Sequence, residues 1–152
     1  MYKRQIANNV MLGGHVVVGD RANLGGGAGV HHFTTIGSGA FLAGLARVIK
    51  DVPPWMMVDG APAEVRGCNR VGMQRAQMSE EDIQAVLESY RMLYREPGGD
   101  QESTCAVLLE RFSGSETIQS IVDSIRATLC GKNGRALENQ RTHDKTVDPR
   151  DR

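Results

Sequence analysis

Aliphatic residues recur at every sixth position from residue 6 to residue 53. Cut at those positions, the chain reads IANNVM, LGGHVV, VGDRAN, LGGGAG, VHHFTT, IGSGAF, LAGLAR and VIKDVP. The second place holds Ala, Gly, Gly, Gly, His, Gly, Ala and Ile. The fifth holds Val, Val, Ala, Ala, Thr, Ala, Ala and Val. A short fixed period of this kind predicts a parallel β-helix of hexapeptide repeats, in which each unit supplies one short strand and one corner. The first-place side chain points inward, and the small fifth-place residue fits where the chain turns. Gly serves corners whose backbone angles a Cβ would obstruct. Three units make a coil of 18 residues, and coils stack at about the strand separation of 4.8 Å. Prisms of this class wind left-handed, a property the pattern itself does not dictate.

Pro53-Pro54 reads as the end of the regular coil, and WMMVDGAPAEVRG as a last irregular strand turning away through Gly60-Ala61-Pro62. From Ser79 the period becomes 3.6, with Ile83, Val86, Leu87, Tyr90, Leu93 and Tyr94 on one face. Ser79 is a good N-cap, Glu80, Glu81 and Asp82 suit the positive helix end, and Pro97-Gly98-Gly99 stops the helix. Two further helices are expected over 101–112 and 115–130, the second with a stripe of Ile118, Ile121, Val122, Ile125 and Leu129. The predicted fold is thus a β-solenoid plus α: a left-handed parallel β-helix of hexapeptide repeats followed by a small C-terminal helical domain. Its expected parts are a leader foreign to the repeat at 1–5, the last coils at 6–67, helices at 68–133 and a disordered tail at 134–152. Eight units make fewer than three coils, so the segment reads as the end of a longer prism, with natural sequence in this chain resuming at Ile6 after the foreign leader.

Eighteen basic and eighteen acidic residues cancel, which gives no electrostatic case for nucleic acid or an anionic membrane. No apolar run is long enough to span a bilayer, and no signal-peptide core is present. Cys68, Cys105 and Cys130 are odd in number and widely spaced; reduced thiols in a cytoplasmic protein account for them. Only six charged side chains (Asp20, Arg21, Arg47, Lys50, Asp51 and Asp59) fall within residues 6–60, a surface suited to self-association.

The segments ANNVMLGGHVVVGD, GGGAGVHHFTTIG, KDVPPWMMVDGAPAEVRGCNRVGMQR and MSEEDIQAVLESYRMLYR resemble the acyl-carrier-protein-dependent UDP-N-acetylglucosamine acyltransferases, which open lipid A synthesis. Hexads alone are shared with serine and sugar acetyltransferases. The ordered GGH, VHHF, DVPP and GxNxxGxxR motifs are more specific, and the last helix matches more loosely. The resemblance implies that a 3-hydroxyacyl group moves from the phosphopantetheine thioester of acyl carrier protein to the 3-hydroxyl of UDP-N-acetylglucosamine, without metal or redox cofactor.

Residue by residue, the resemblance makes the Gly14 N–H the donor to the thioester oxyanion, a role worth about 2.7–4 kcal/mol. His15 helps position the sugar nucleotide. His31 and His32 match a His-Gln pair lining the cleft near the nucleotide and the acyl-donor arm. Asn69 and Arg75 match residues that hold the uridine diphosphate, an Arg fork suiting phosphate. Val71 stands where well-known members have Glu. The family's general base, a histidine about nineteen residues before His15, would precede Met1, so residues 1–152 alone are expected to be inactive. The resemblance also implies a homotrimer with its site between prisms, and Arg47, Lys50 and Arg66 are candidates to face the acidic carrier.

Repeat geometry stacks residues eighteen apart, which sets Phe33 over His15, His32 over Gly14 and His31 over Gly13. Other hexapeptide acyltransferases, a non-catalytic trimeric scaffold, and a zinc lyase needing three imidazoles on one metal are the alternatives. Adjacent strand residues such as His31 and His32 point apart, which leaves the last short of a ligand.

Overall fold

The computed structural model describes residues 4–96 and 98–141. Its amino-terminal half is a left-handed parallel β-helix, and helices follow. Eight two-residue strands build the coils: β1 (Gln5–Ile6), β2 (Met11–Leu12), β3 (Val17–Val18), β4 (Asn23–Leu24), β5 (Gly29–Val30), β6 (Thr35–Ile36), β7 (Phe41–Leu42) and β8 (Arg47–Val48). They pair in parallel along three faces, β1-β4-β7, β2-β5-β8 and β3-β6. Gln5 faces Asn23 and Met11 faces Gly29, the expected eighteen-residue offset. Gln5 therefore already belongs to the ladder, and Arg4 holds Asp20 at 2.9 Å, so the described part of the expected leader joins the prism.

First-place Leu24, Val30, Ile36, Leu42 and Val48 and fifth-place Ala22, Ala28, Ala40 and Ala46 form the prism core. In the first coil, which has no coil beneath it in this chain, Ile6 and Leu12 stay 50% and 42% exposed. At the second-place glycines the coils touch. A Cβ on Gly25 would lie 2.6 Å from the Gly44 nitrogen, and one on Gly37 2.5 Å from the Pro54 nitrogen. The left-handed corner residue is instead the fourth place: Asn9, His15, Arg21, Gly27, Phe33, Gly39 and Leu45 all have φ between 59° and 71°. Only two of these are Gly, so the expectation that the corner glycines supply unusual angles holds at few positions.

Register corrects the eighth unit. Ile36 bridges Val52, and Phe41 faces Met57, sixteen residues on rather than eighteen. VIKD is a four-residue unit, and a full hexad, VPPWMM, follows it with Trp55 at the left-handed fourth place (φ 62°). Pro53-Pro54 thus continues the coil instead of ending it. The two prolines sit on the last coil, where no strand above requires their missing N–H groups. The irregular strand is a hairpin, β9 (Met56–Gly60) antiparallel to β10 (Ala63–Cys68), turning through the cis Ala61-Pro62 bond.

The helical part comprises α1 (Arg70–Arg75), α2 (Glu80–Tyr90) running on as a π-turn over Arg91–Arg95, α3 (Gln101–Arg111) and α4 (Glu116–Cys130). Ser79, Asp100 and Ser115 cap α2, α3 and α4 by accepting the N–H three residues on. The stripe expected on α4 is buried at Ile118, Ile121, Val122 and Ile125, but Leu129 is 51% exposed. Tyr90 donates to the Arg66 carbonyl at 2.8 Å and so ties α2 to β10.

The expected tail is ordered at its start. Residues Ala136–Gln140 form a 3₁₀ turn docked on the shortened coil. Asp51 N donates to Gly134 O at 2.8 Å, and Ala136 N donates to Asp51 Oδ2 at 2.7 Å. Arg135 pairs with Glu138 at 3.0 Å, both side chains only 7% exposed, and donates to the Ile49 carbonyl. High polarity suggested disorder, but the corner that lacks two residues offers a seat that a polar segment can fill. The rest of the expected tail, 142–152, lies outside the described residues.

Among the described residues, Thr34 Oγ1 is the buried side-chain oxygen without a hydrogen-bond partner. Thr34 occupies a fifth place that Val fills elsewhere. Thr34→Val is expected to raise stability by about 1 kcal/mol, because it removes an unpaired hydroxyl at nearly constant volume. Thermal denaturation checks this, and an unchanged or lower Tm refutes it.

Candidate active-site corner

The prism has three columns of fourth-place residues, one per edge. Asn9, Gly27 and Leu45 form one, His15 and Phe33 the second, and Arg21, Gly39 and Trp55 the third. Four of the six site residues expected from the sequence gather on the second edge. His15 is held there by its left-handed backbone and by Phe33, whose ring stacks on it at 4.6 Å between centroids and 11° between planes. Phe33 thus overlies His15 as expected.

Gly14 stands at a third place. In the coil-to-coil ladder, second- and sixth-place amides donate to the coil above, as Gly13 N does to Val30 O and Met11 N to Ala28 O. Fourth-place amides donate to third-place carbonyls beneath, as Phe33 N does to Gly14 O at 2.9 Å. Fifth-place amides close the turn, as Ala28 N does onto Gly25 O. The third-place N–H of Gly14 lies outside this scheme, on an exposed residue. Its partner is a side chain: Gly14 N donates to His32 Nδ1 at 2.9 Å. His31 Nδ1 lies 3.1 Å from the His32 carbonyl, and the two imidazoles meet edge to face at 5.4 Å.

Asn69 and Arg75 are elsewhere. Asn69 belongs to the third edge, where its Nδ2 donates to Gly39 O and its backbone N to Trp55 O, both at 2.8 Å. Its Oδ1 accepts from Gly72 N at 2.8 Å and caps α1. Both ends of the amide thus hold the fold, a use that the GxNxxGxxR spacing did not reveal. Arg75 ends α1 and is exposed. The tryptophan that closes this edge lies flat on Gly39, where a Cβ would come 2.1 Å from its ring. Val71 is exposed beside Arg70 on the same short helix.

A cavity of about 770 Å³ between the third coil, β10 and the helices, lined among others by Lys50, Asp51, Tyr90, Tyr94, Arg95 and Thr128, contains none of these six residues. Sequence reading also missed Asp51, whose carboxylate accepts from Thr35 N and Ala136 N at 2.7 Å and from Thr128 Oγ1 at 3.4 Å. Burial raises its pKa despite these donors. The signal available was one acidic residue in the unit that breaks the period.

Cys68 is filling. Its Sγ rests 3.9 Å from Met56 Sδ and 3.8 Å from Val86 O, and burial pushes the thiol up to about 12. Cys105 is buried and raised for the same reason, with Glu102 adding to it, whereas Cys130 is exposed. Alkylation at pH 8 should label Cys130 at least about a hundred-fold faster than Cys68. Equal rates, read by mass spectrometry, would contradict the packing. Among the described residues no helix is long and apolar enough to cross a membrane, and no three His, Cys, Asp or Glu side chains gather as a metal site.

Comparison with known proteins gives this corner a context. The model of the family described as UDP-N-acetylglucosamine O-acyltransferase, domain 2, matches residues 51–135. The acyl-[acyl-carrier-protein]--UDP-N-acetylglucosamine O-acyltransferase of Verminephrobacter eiseniae is 43% identical over 124 residues, 82% of this chain and 47% of that protein. Its counterpart in Synechocystis is 43% identical over 90 residues, 59% of this chain and 33% of that one. Among solved structures, Arabidopsis UDP-N-acetylglucosamine acyltransferase superposes with a TM-score of 0.78 at 31% identity, covering 85% of this chain and 46% of that one. The enzyme of Moraxella catarrhalis gives 0.75 at 33%, covering 81% and 48%. The chain spans between a third and about half of the length of these relatives.

Proposed function

Because this chain belongs to the UDP-N-acetylglucosamine O-acyltransferase family, we propose that its coils form part of an enzyme that moves a 3-hydroxyacyl group from acyl carrier protein to UDP-N-acetylglucosamine, the first step of lipid A biosynthesis in the cytoplasm. The sugar 3-hydroxyl oxygen attacks the thioester carbonyl carbon and loses its proton to a base. The carbonyl oxygen becomes an oxyanion, then the C=O bond re-forms as the C–S bond breaks, and the base returns the proton to sulfur so that the phosphopantetheine leaves as a thiol. The proton acceptor is the histidine that the family resemblance sets about nineteen residues before His15.

The observation that carries this reading is the Gly14 N–H, which the ladder leaves without a main-chain acceptor on the edge that also holds three imidazoles. A donor held on a rigid coil stabilises a developing oxyanion. His15, braced by Phe33, presents the edge of its ring to the sugar nucleotide, and His31 and His32 line the same edge. Arg75 serves the diphosphate, with Asn69 holding α1 in place beneath it.

His15 sits on the second edge of the prism, and Arg75 on the short helix that Asn69 ties to the third edge. A homotrimer in which the second edge of one prism faces the third edge of its neighbour joins them, and closed symmetry of this kind is common. No metal or redox cofactor is assigned; the acyl donor is the carrier's phosphopantetheine thioester.

UDP-N-acetylglucosamine added to the ¹⁵N-labelled chain should shift the amide resonances of Gly14, His15 and Phe33 together with those of Val71 and Arg75. His15→Ala should weaken its binding about ten-fold, the worth of one lost polar contact to a charged ligand. Shifts confined to one edge would remove the trimeric site, and none at either edge would remove the substrate assignment.

A further inference from the structure

The Gly14 N–H is not free in this structure. His32 stands one coil above Gly14 in the same third-place column, and its ring turns down so that Nδ1 accepts the Gly14 proton at 2.9 Å. That bond makes Nδ1 the accepting nitrogen of His32, since a protonated Nδ1 has no lone pair to offer. His31 is in the opposite sense: its Nδ1 faces the His32 carbonyl at 3.1 Å, and a carbonyl only accepts, so His31 carries its hydrogen on Nδ1. Gly14 is thereby held on both sides of its Cα, by His32 on its N–H and by Phe33 N on its carbonyl.

An acceptor on this N–H competes with whatever oxygen the N–H is meant to bind. We propose that His32 is a positioning residue that occupies and aligns the Gly14 donor when no acyl group is bound, and that the thioester carbonyl displaces its Nδ1. This rests on the acyl-transfer reading above and adds to it a side chain that sets how readily the acyl donor enters. Both residues are exposed, so an incoming oxygen reaches the bond from solvent. The ring sits directly on this residue: a Cβ on Gly14 would lie 3.4 Å from His32 Nδ1, an ordinary contact. The ring can yield because it is a side chain, whereas the ladder bond from Phe33 N cannot be given up without parting the coils.

The test uses the ¹⁵N-labelled chain. A scalar coupling across the hydrogen bond between Gly14 N and His32 Nδ1 is expected in the unliganded protein. His32→Ala should accelerate exchange of the Gly14 amide about ten-fold, the equivalent of one hydrogen bond, and leave the Phe33 amide unchanged. His32→Gln, whose Oε1 can accept, should restore most of the protection. Unchanged Gly14 exchange in His32→Ala, or parallel acceleration at Phe33, overturns the proposal, the latter because the corner would merely have loosened.

Next, 3-hydroxydecanoyl pantetheine is added. The Gly14 to His32 coupling should vanish while Gly14 stays protected, its proton now taken by the thioester oxygen. If the thioester binds at the second edge and the coupling persists, displacement is refuted and the acyl-transfer reading survives. If the thioester does not bind, the acyl-transfer reading and the displacement both fail, and only the resting bond remains.

Discussion

Gly25→Ala should cost about 3 kcal/mol or more and lower the Tm by about 10 °C, whereas Gly26→Ala, one residue on, should change stability by less than about 1 kcal/mol. The two glycines differ in what surrounds their missing Cβ. At Gly25 it would sit 2.6 Å from the Gly44 nitrogen and 2.8 Å from both the Ala43 carbonyl carbon and the Leu42 oxygen. All of these are main-chain atoms of the next coil, held by Gly25 N donating to Leu42 O at 2.9 Å. Relief requires the coils to part, and the ladder on that face then breaks. At Gly26 the nearest atom is Asn8 O at 3.5 Å, an ordinary contact. Paired thermal melts of the two variants decide the matter. Equal losses would mean that glycine serves these coils through backbone freedom and not through close approach.

Asp51→Ala is expected to cost about 3 kcal/mol, since it leaves the Thr35 and Ala136 N–H groups without an acceptor in a partly buried seat. The carboxylate joins three parts of the chain: β6 through Thr35, α4 through Thr128, and the terminal segment through Ala136. Its loss should therefore raise amide exchange over residues 134–140 more than in the prism below. If the melting temperature falls while that segment keeps its protection, Arg135 and Glu138 hold it without Asp51.

The pH dependence of the same site has a definite sign. Burial raises the Asp51 pKa above the ordinary carboxylate value. Between those two values the folded chain binds more protons than the unfolded one, so this group makes stability fall as pH rises. Asp51→Asn removes that component, and the stability difference between variant and wild type should change only within that interval. Glu138 has the opposite sign: the Arg135 hydrogen bond, helped by Arg141, lowers its pKa. Its contribution is present above the ordinary carboxylate value and is lost as pH falls through the lowered one.

Much of the candidate site was legible because a repeat converts position into geometry. Once the period was read, Gly14 and His32, and His15 and Phe33, had to share columns, and the family motifs supplied roles for them. Asn69 was read for its place in a motif, but its amide is spent on Gly39 and on the cap of α1. The bond to Gly39 depends on a fold-back across thirty residues, which no local pattern encodes. Nor could spacing reveal that the His32 ring turns down onto the Gly14 N–H, because a rotamer is chosen by the surfaces around it.

The amino-acid sequence by itself determined the parallel β-helix, the apolar first place and small fifth place, the helices with their Ser79 and Ser115 caps, and the family. These follow from local periodicity, capping chemistry and motif order, each legible within a few residues. Tertiary structure alone decided the four-residue unit before Val52, the left-handed fourth place open to His, Arg, Phe and Leu, and the docking of residues 134–141. The reason is that a coil is held by partners eighteen residues away. Where one coil is short by two residues, only the packed molecule shows that Gly134, Arg135 and Ala136 fill the gap around Asp51.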